Sequence, residues 1–159
     1  MRSGSQYTIG IHTLMLVEFF RQDSITSQIA ARSIGCNPVI VRNVFAKLKR
    51  AGLLKPGYGR RRTELGRPAD TITLYDVFMA TESDDLDTMF KMYPANLNCP
   101  VGSDIHGILS TRFGKARDAM LKVLSETTIA DLVADLPPEK NVLPEELRQR
   151  SEGSLSETS

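Results

Sequence analysis

Apolar residues at Ile9, Leu14, Leu16, Val17 and Phe20, with few helix breakers between them, predict a first amphipathic helix over residues 7–21. The stretch SITSQIAARSIG predicts a short second helix. Thr26 or Ser24 caps it, Ile29, Ala30 and Ile34 form its apolar face, and Gly35 ends it in a tight turn. Asn37 followed by Pro38 predicts a third helix start, because the amide side chain accepts from free backbone N–H groups and proline at the first helical position loses nothing. Its buried face is Ile40 or Val41, then Val44, Phe45 and Leu48, and Gly52 supplies the stop. Beyond it, Leu53-Leu54-Lys55 and Thr63-Glu64-Leu65 flank the turn-rich run PGYGRRR, the pattern of two short strands in a hairpin.

The second half has a different texture. Thr73 with Asp76 three residues on resembles a capping box and opens a short helix to about Thr81. Residues 82–103 show no period and contain Pro94, Asn96, Asn98, Pro100 and Gly102, which predicts a long loop. From Asp104 a stripe of Ile105, Ile108, Leu109, Phe113, Ala116, Met120, Val123 and Leu124 runs for about twenty residues, roughly 30 Å of helix and more than a small domain covers by itself. Thr128 with Asp131 repeats the capping pattern ahead of a short last helix, and from Pro137 onward Pro, Glu and Ser predict a disordered tail.

The fold class expected from this order is mostly α with a small β-hairpin: a winged helix-turn-helix followed by a long C-terminal dimerisation helix. The expected division is a winged helix-turn-helix domain at 6–82, a sensor or connecting loop at 83–103, the dimerisation helix and short last helix at 104–136, and the tail at 137–159. Residues 1–5 (MRSGS) resemble an expression linker and stand outside this reading.

Charge sharpens the picture. The chain of 159 residues has a net charge of only +1, but residues 1–82 carry 12 Lys and Arg against 6 Asp and Glu, whereas residues 83–159 carry 8 against 13. Between Arg21 and Arg67 there are 11 basic residues against Asp23 and Glu64 alone. A basic front half suits a polyanion-binding module. On the third helix Val39, Arg42, Asn43, Lys47, Lys49 and Arg50 cannot face the core. Arg42 has the geometry for guanine, Asn43 for adenine and Val39 for a thymine methyl, while the later lysines lie closer to phosphates. Arg60, Arg61 and Arg62 at the hairpin tip suit a minor groove or phosphate contacts. With Gln28 and Asn37, the candidate set for double-stranded DNA is Gln28, Asn37, Val39, Arg42, Asn43, Lys47, Arg60, Arg61 and Arg62.

Other classes find less support. The apolar stretch 9–20 is interrupted and too short for a bilayer, and the N-terminus lacks a signal-peptide pattern, so a cytoplasmic protein without a membrane partner is expected. Cys36 and Cys99 are expected to be free thiols, and with His12 and His106 as the only histidines no metal site within one chain is expected. No nucleophile with a base, phosphate loop or paired-carboxylate signature points to an enzyme, and the run Asp84-Asp85-x-Asp87 reads as a solvated loop. A winged-helix adaptor docking a metabolic enzyme is the alternative to a DNA-binding regulator.

The combination NPVIVRNVFAKLKRAGLL, a basic wing, ITLYDVFMA and NCPVGSDI before a long helix resembles the Rrf-two family of bacterial winged-helix transcription regulators over residues 7–136. AKLKRAGLL and ITLYDVFMA carry the resemblance most specifically, and NCPVG points to a subgroup with a single loop cysteine. The resemblance implies a homodimeric repressor on a palindromic operator, with the long helix crossing between subunits. Several members sense iron-sulfur status, nitric oxide or cysteine metabolism. Cluster-binding members carry three cysteines in the loop where this chain has Cys99 alone, so no iron-sulfur cofactor is expected. Arg42 stands where cluster-sensing relatives often have glutamate, and the three arginines replace the paired glycines of many wings, so the operator preference does not carry over.

Cys99, between Asn98 and Pro100 at a helix start, is the candidate redox-sensing residue, because helix-end amides stabilise a thiolate. A buried, inert packing cysteine is the alternative, and Cys36 is read as core. Nothing in the sequence identifies an effector molecule.

Overall fold

Helix α1 (Ser3–Phe19) is apolar on nearly every side, and this makes it the central element of the fold. Ile9, Leu14, Leu16 and Val17 are buried, as is Phe20 just beyond its end, while Ile11, Met15 and Phe19 are half-buried. The expected one-sided amphipathic helix is thus corrected to one that packs against several neighbours, among them the helices that follow it at 38–50 and 74–81. Gly10 allows the closest approach: a Cβ there would lie 3.1 Å from Val77 Cγ1 and 3.2 Å from Thr81 Cγ2. The helix also begins at Ser3, within the segment set aside as linker.

In this computed structural model the structure describes residues 3–59, 63–82 and 90–148. After α1 come α2 (Ser27–Ile34), α3 (Pro38–Arg50), strands β1 (Leu54–Pro56) and β2 (Thr63–Leu65), a 3-10 turn (Ala69–Thr71) and α4 (Leu74–Thr81). Then follow α5 (Pro100–Glu126), α6 (Ile129–Ala134), a second 3-10 turn (Pro138–Lys140) and α7 (Glu145–Arg148). The strands form an antiparallel pair with Leu54 opposite Leu65, Lys55 opposite Glu64 and Pro56 opposite Thr63. The core gathers α1, the inward faces of α2, α3 and α4, and Leu53, Leu54, Ile72 and Ile129. The fold is the expected mostly helical winged helix-turn-helix with a long helix behind it.

Three further features differ from the expectation. Helix α5 starts at Pro100 rather than Asp104, because Cys99 and Pro100 form its N-terminus and Gly102 fits under the loop, where a Cβ would overlap the Asn96 carbonyl. Helix α6 is not an appendage of α5. The Ile129 N–H donates to the Ile72 carbonyl at 2.9 Å, the Leu74 N–H donates to the Thr127 carbonyl at 2.9 Å, and Ile129 is fully buried. The end of the long helix is thereby sewn back onto the N-terminal core. The tail expected to be disordered from Pro137 is ordered through Arg148, with Leu143 buried. Two leucines there reach the core, which the Pro, Glu and Ser composition conceals.

Helix α5 runs for 27 residues, about 40 Å, and none of its residues is buried. Ile108 is 50% and Val123 61% exposed on the apolar stripe. No described helix is long and apolar enough to cross a membrane.

Candidate nucleic-acid interface

The helix-turn-helix is built by local chemistry that its sequence dictates. Thr26 caps α2, its hydroxyl accepting from the Ile29 N–H at 3.2 Å, and Gly35 closes the helix at φ 80°, a conformation that side chains other than glycine rarely adopt. Asn37 then caps α3, its Oδ1 accepting from the Val39 N–H at 2.9 Å, and Pro38 takes the first helical position. Val41, Val44, Phe45 and Leu48 face inward, so the choice between Ile40 and Val41 falls to Val41, and Ile40 is exposed.

The opposite face of α3 presents Val39, Ile40, Arg42, Asn43, Lys49 and Arg50 to solvent. The side chains of Arg42, Asn43, Lys49 and Arg50 make no hydrogen bond or ion pair among the described residues. Gln28 is exposed on α2. The α3 groups share one face of that helix, open to solvent. Asn37 is exposed too, but its oxygen is spent on the cap.

Lys47 departs from the expected set. It is half-buried, and its ammonium donates to Gln6 Oε1 at 2.6 Å and to the Thr81 carbonyl at 3.2 Å. It points toward α1 and the end of α4 and is committed there, because a helix of 3.6 residues per turn sets position 47 between the buried and open faces.

The hairpin stands beside α3. At its base a Cβ on Gly66 would overlap the Gly52 carbonyl, and the Gly66 N–H donates to the Leu53 carbonyl at 2.9 Å, so two glycines let the returning strand cross the end of α3. Arg67 fastens that base: its guanidinium donates to the Thr71 carbonyl at 3.2 Å and pairs with Asp76 Oδ2 at 2.5 Å. Asp76 also accepts from the Thr73 N–H at 2.9 Å, closing the expected capping box. Tyr58 near the tip is 91% exposed. Arg60, Arg61 and Arg62 lie outside the described residues.

Cys99 is exposed at the N-terminus of α5, where the backbone N–H groups of Val101 and Gly102 hold its thiol below the ordinary value, Gly102 most strongly. The packing alternative does not hold for it. Cys36 is half-buried against the core. The preceding loop is laid along α5 by His106, whose Nε2 is 2.6 Å from the Tyr93 carbonyl, and by Phe90 stacked on Phe113 at 4.5 Å between centroids.

Sequence reasoning missed three features: the Lys47 anchor, the Arg67 fastening and an open apolar groove of about 430 Å³ on α1. Thr8, Ile11, Met15 and Phe19 line the groove, with Leu136 across from them. Half-buried His12 also lines it, its Nε2 3.0 Å from Ser33 Oγ on α2, and burial lowers its pKa. The apolar run of α1 with no polar side was the available signal for the groove.

Comparison with known proteins agrees with this geometry. The Rrf2 (Rrf-two) family profile, described as an iron-dependent transcriptional regulator, matches residues 4–135. YwnA of Bacillus subtilis (strain 168), provisionally named an HTH-type transcriptional regulator, is 29% identical over 133 residues, covering 83% of this chain and 97% of YwnA. Among solved structures, IscR of T. potens superposes with a TM-score of 0.63 at 18% identity, covering 85% of this chain and 88% of its own. CymR, the global cysteine regulator of B. subtilis, gives 0.58 at 19% identity, covering 86% and 97%. At those identities the two structures establish the winged-helix fold, while the profile match over most of the chain establishes descent. The chain belongs to the Rrf2 family of transcriptional regulators.

Proposed function

We propose that this protein is a sequence-specific DNA-binding regulator that acts as a homodimeric repressor on a two-fold operator. One observation carries the reading: the outward face of α3 holds Arg42, Asn43, Lys49 and Arg50 with no partner among the described residues, and the sequence between the two strands adds three consecutive arginines. Arg42 and Asn43, near the helix start, are the base-reading residues, with Val39 supplying an apolar contact; Gln28, Lys49, Arg50 and the wing arginines meet phosphates or the minor groove. A pair of copies is part of the proposal, and what supports it is that α5 runs for 27 residues with none of them buried within one chain. Pairing of two such helices covers the stripe and sets two α3 helices at one duplex face.

Thiol modification is the proposed signal. Cys99 is exposed, its thiolate is favoured by two backbone amides, and it caps the helix that would pair the subunits. No iron-sulfur cluster is part of this proposal, because the loop holds Cys99 as its single cysteine and Cys36 sits in the helix-turn-helix.

The test is selection of bound sequences from a random duplex pool by the purified protein. An inverted repeat with half-sites about one helical turn apart supports the reading, and Arg42→Ala then relaxes one position per half-site. Recovery of no enriched sequence, with affinity insensitive to salt, contradicts it.

A further inference from the structure

Residues 137–148 lie beyond the span matched by the family profile, which ends at residue 135. They nevertheless return to the helix-turn-helix. Leu143 is 3% exposed and belongs to the same apolar cluster as Leu14 and Val44, and Leu147 packs against that cluster. Two polar ties join the segment to the flanks of α2. Arg32 Nη1, in the last turn of α2, donates to the Leu147 carbonyl at 2.9 Å. Arg148 Nη2 meets Asp23 Oδ1, just ahead of α2, at 2.9 Å.

Helix α2 has reason to need such support. It is eight residues long and its fully buried side chains are Ala30 and Ala31, the smallest that a core offers. Helices shorter than about 12 residues are marginal without tertiary packing. Its far end carries the turn that starts α3: the Gly35 and Cys36 N–H groups both donate to the Ala31 carbonyl, at 2.8 and 3.2 Å. Fraying of α2 would therefore release the Asn37 cap and the first turn of α3.

We propose that residues 137–148 form a brace on α2, so that the working helix-turn-helix of this chain includes its C-terminal segment. Leu143 anchors the brace in the core, and the Arg32 and Arg148 ties hold the last turn of α2 and the loop just ahead of the helix. Its consequence for DNA rests on the function proposed above; the brace itself does not.

Amide hydrogen exchange on the full chain tests it, comparing the native sequence with the double variant Leu143→Ser/Arg148→Gln. The amides of Ala30 to Gly35 should exchange about tenfold faster or more while those of α4 keep their rates, as expected for a local opening. A fluorescent duplex should bind several-fold more weakly, with the salt dependence unchanged. Unchanged exchange in α2 overturns the brace, and tighter duplex binding overturns its stated consequence for DNA, making the segment a brake. Should the double variant loosen α4 as well, Arg148→Gln alone decides: α2 exchange about twofold to fivefold faster, restored by Arg148→Lys, supports the brace, and no change overturns it. If the native chain binds no duplex, the proposed function fails while the exchange data still judge the brace.

Discussion

Lys47 on α3 places its ammonium 2.6 Å from Gln6 Oε1 on α1 and 3.2 Å from the carbonyl of Thr81, the last residue of α4. One charge thus ties α3 to two other helices, and it meets a C-terminal carbonyl where the helix dipole favours a cation. Replacing Lys47 with Met keeps the aliphatic stem and removes both bonds. Unfolding by urea should show a loss of about 1 to 2 kcal/mol. The slope of duplex affinity against salt should stay as it was, whereas Lys49→Met should reduce that slope by about one unit. Titrations at several salt concentrations separate the two lysines.

Asn37 and Asn43 are two asparagines on one motif in different situations. Asn37 caps α3, so Asn37→Ala should cost about 1 kcal/mol in stability. Asn43 is exposed and without a partner among the described residues, so Asn43→Ala should leave stability within about 0.5 kcal/mol and weaken discrimination at one base position. Thermal unfolding together with binding to single-base variants of the selected operator checks both.

These asparagines also show what the chain made legible. Caps such as Thr26, Asn37, Thr73 and Thr128 act on backbone groups two or three residues away, and a short window of sequence contains everything they need. The winged motif and the long, largely open apolar stripe of α5 follow from the same local patterns. Lys47 could not be assigned this way, because its partners lie 41 and 34 positions off. The ordered tail hid for a similar reason. Its composition predicts disorder, and that outcome is reversed by Leu143 and Leu147 in the core cluster and by the Arg32 and Arg148 ties, which span 115 and 125 positions. The start of α5 was misplaced because Gly102 and Pro100 read as loop residues, when one opens the helix and the other makes room for Asn96.

His12 sets an acid-sensitive point at the groove on α1. Burial lowers its pKa from 6.5, so between the folded value and 6.5 the unfolded chain binds more protons than the folded one. Stability therefore falls as pH drops below 6.5, and the loss saturates below the folded pKa. His12→Gln should flatten the stability curve between pH 6.5 and about 5, before most carboxylates titrate. Urea midpoints measured across that range should decline in the native protein and stay nearly level in the variant.

Cys99 should react with a thiol-directed reagent such as iodoacetamide well before Cys36, being exposed with its thiol pKa held down by the Gly102 and Val101 amides, whereas Cys36 is half-buried. Mass spectrometry after brief alkylation at pH 7 identifies the modified site. If the thiol is the signal, modification of Cys99 changes operator affinity and Cys99→Ser abolishes the response; equal affinity before and after modification removes Cys99 from regulation.

The most direct measurement is the binding of a labelled duplex followed by fluorescence anisotropy from low to physiological salt, with the native chain beside Arg42→Ala/Asn43→Ala. The account predicts salt-dependent binding by both proteins, with a preference for the selected operator that the native chain shows and the double variant loses. Absence of binding at the lowest salt, or an operator preference that survives both substitutions, would contradict the assignment of the open α3 face as the DNA-reading surface.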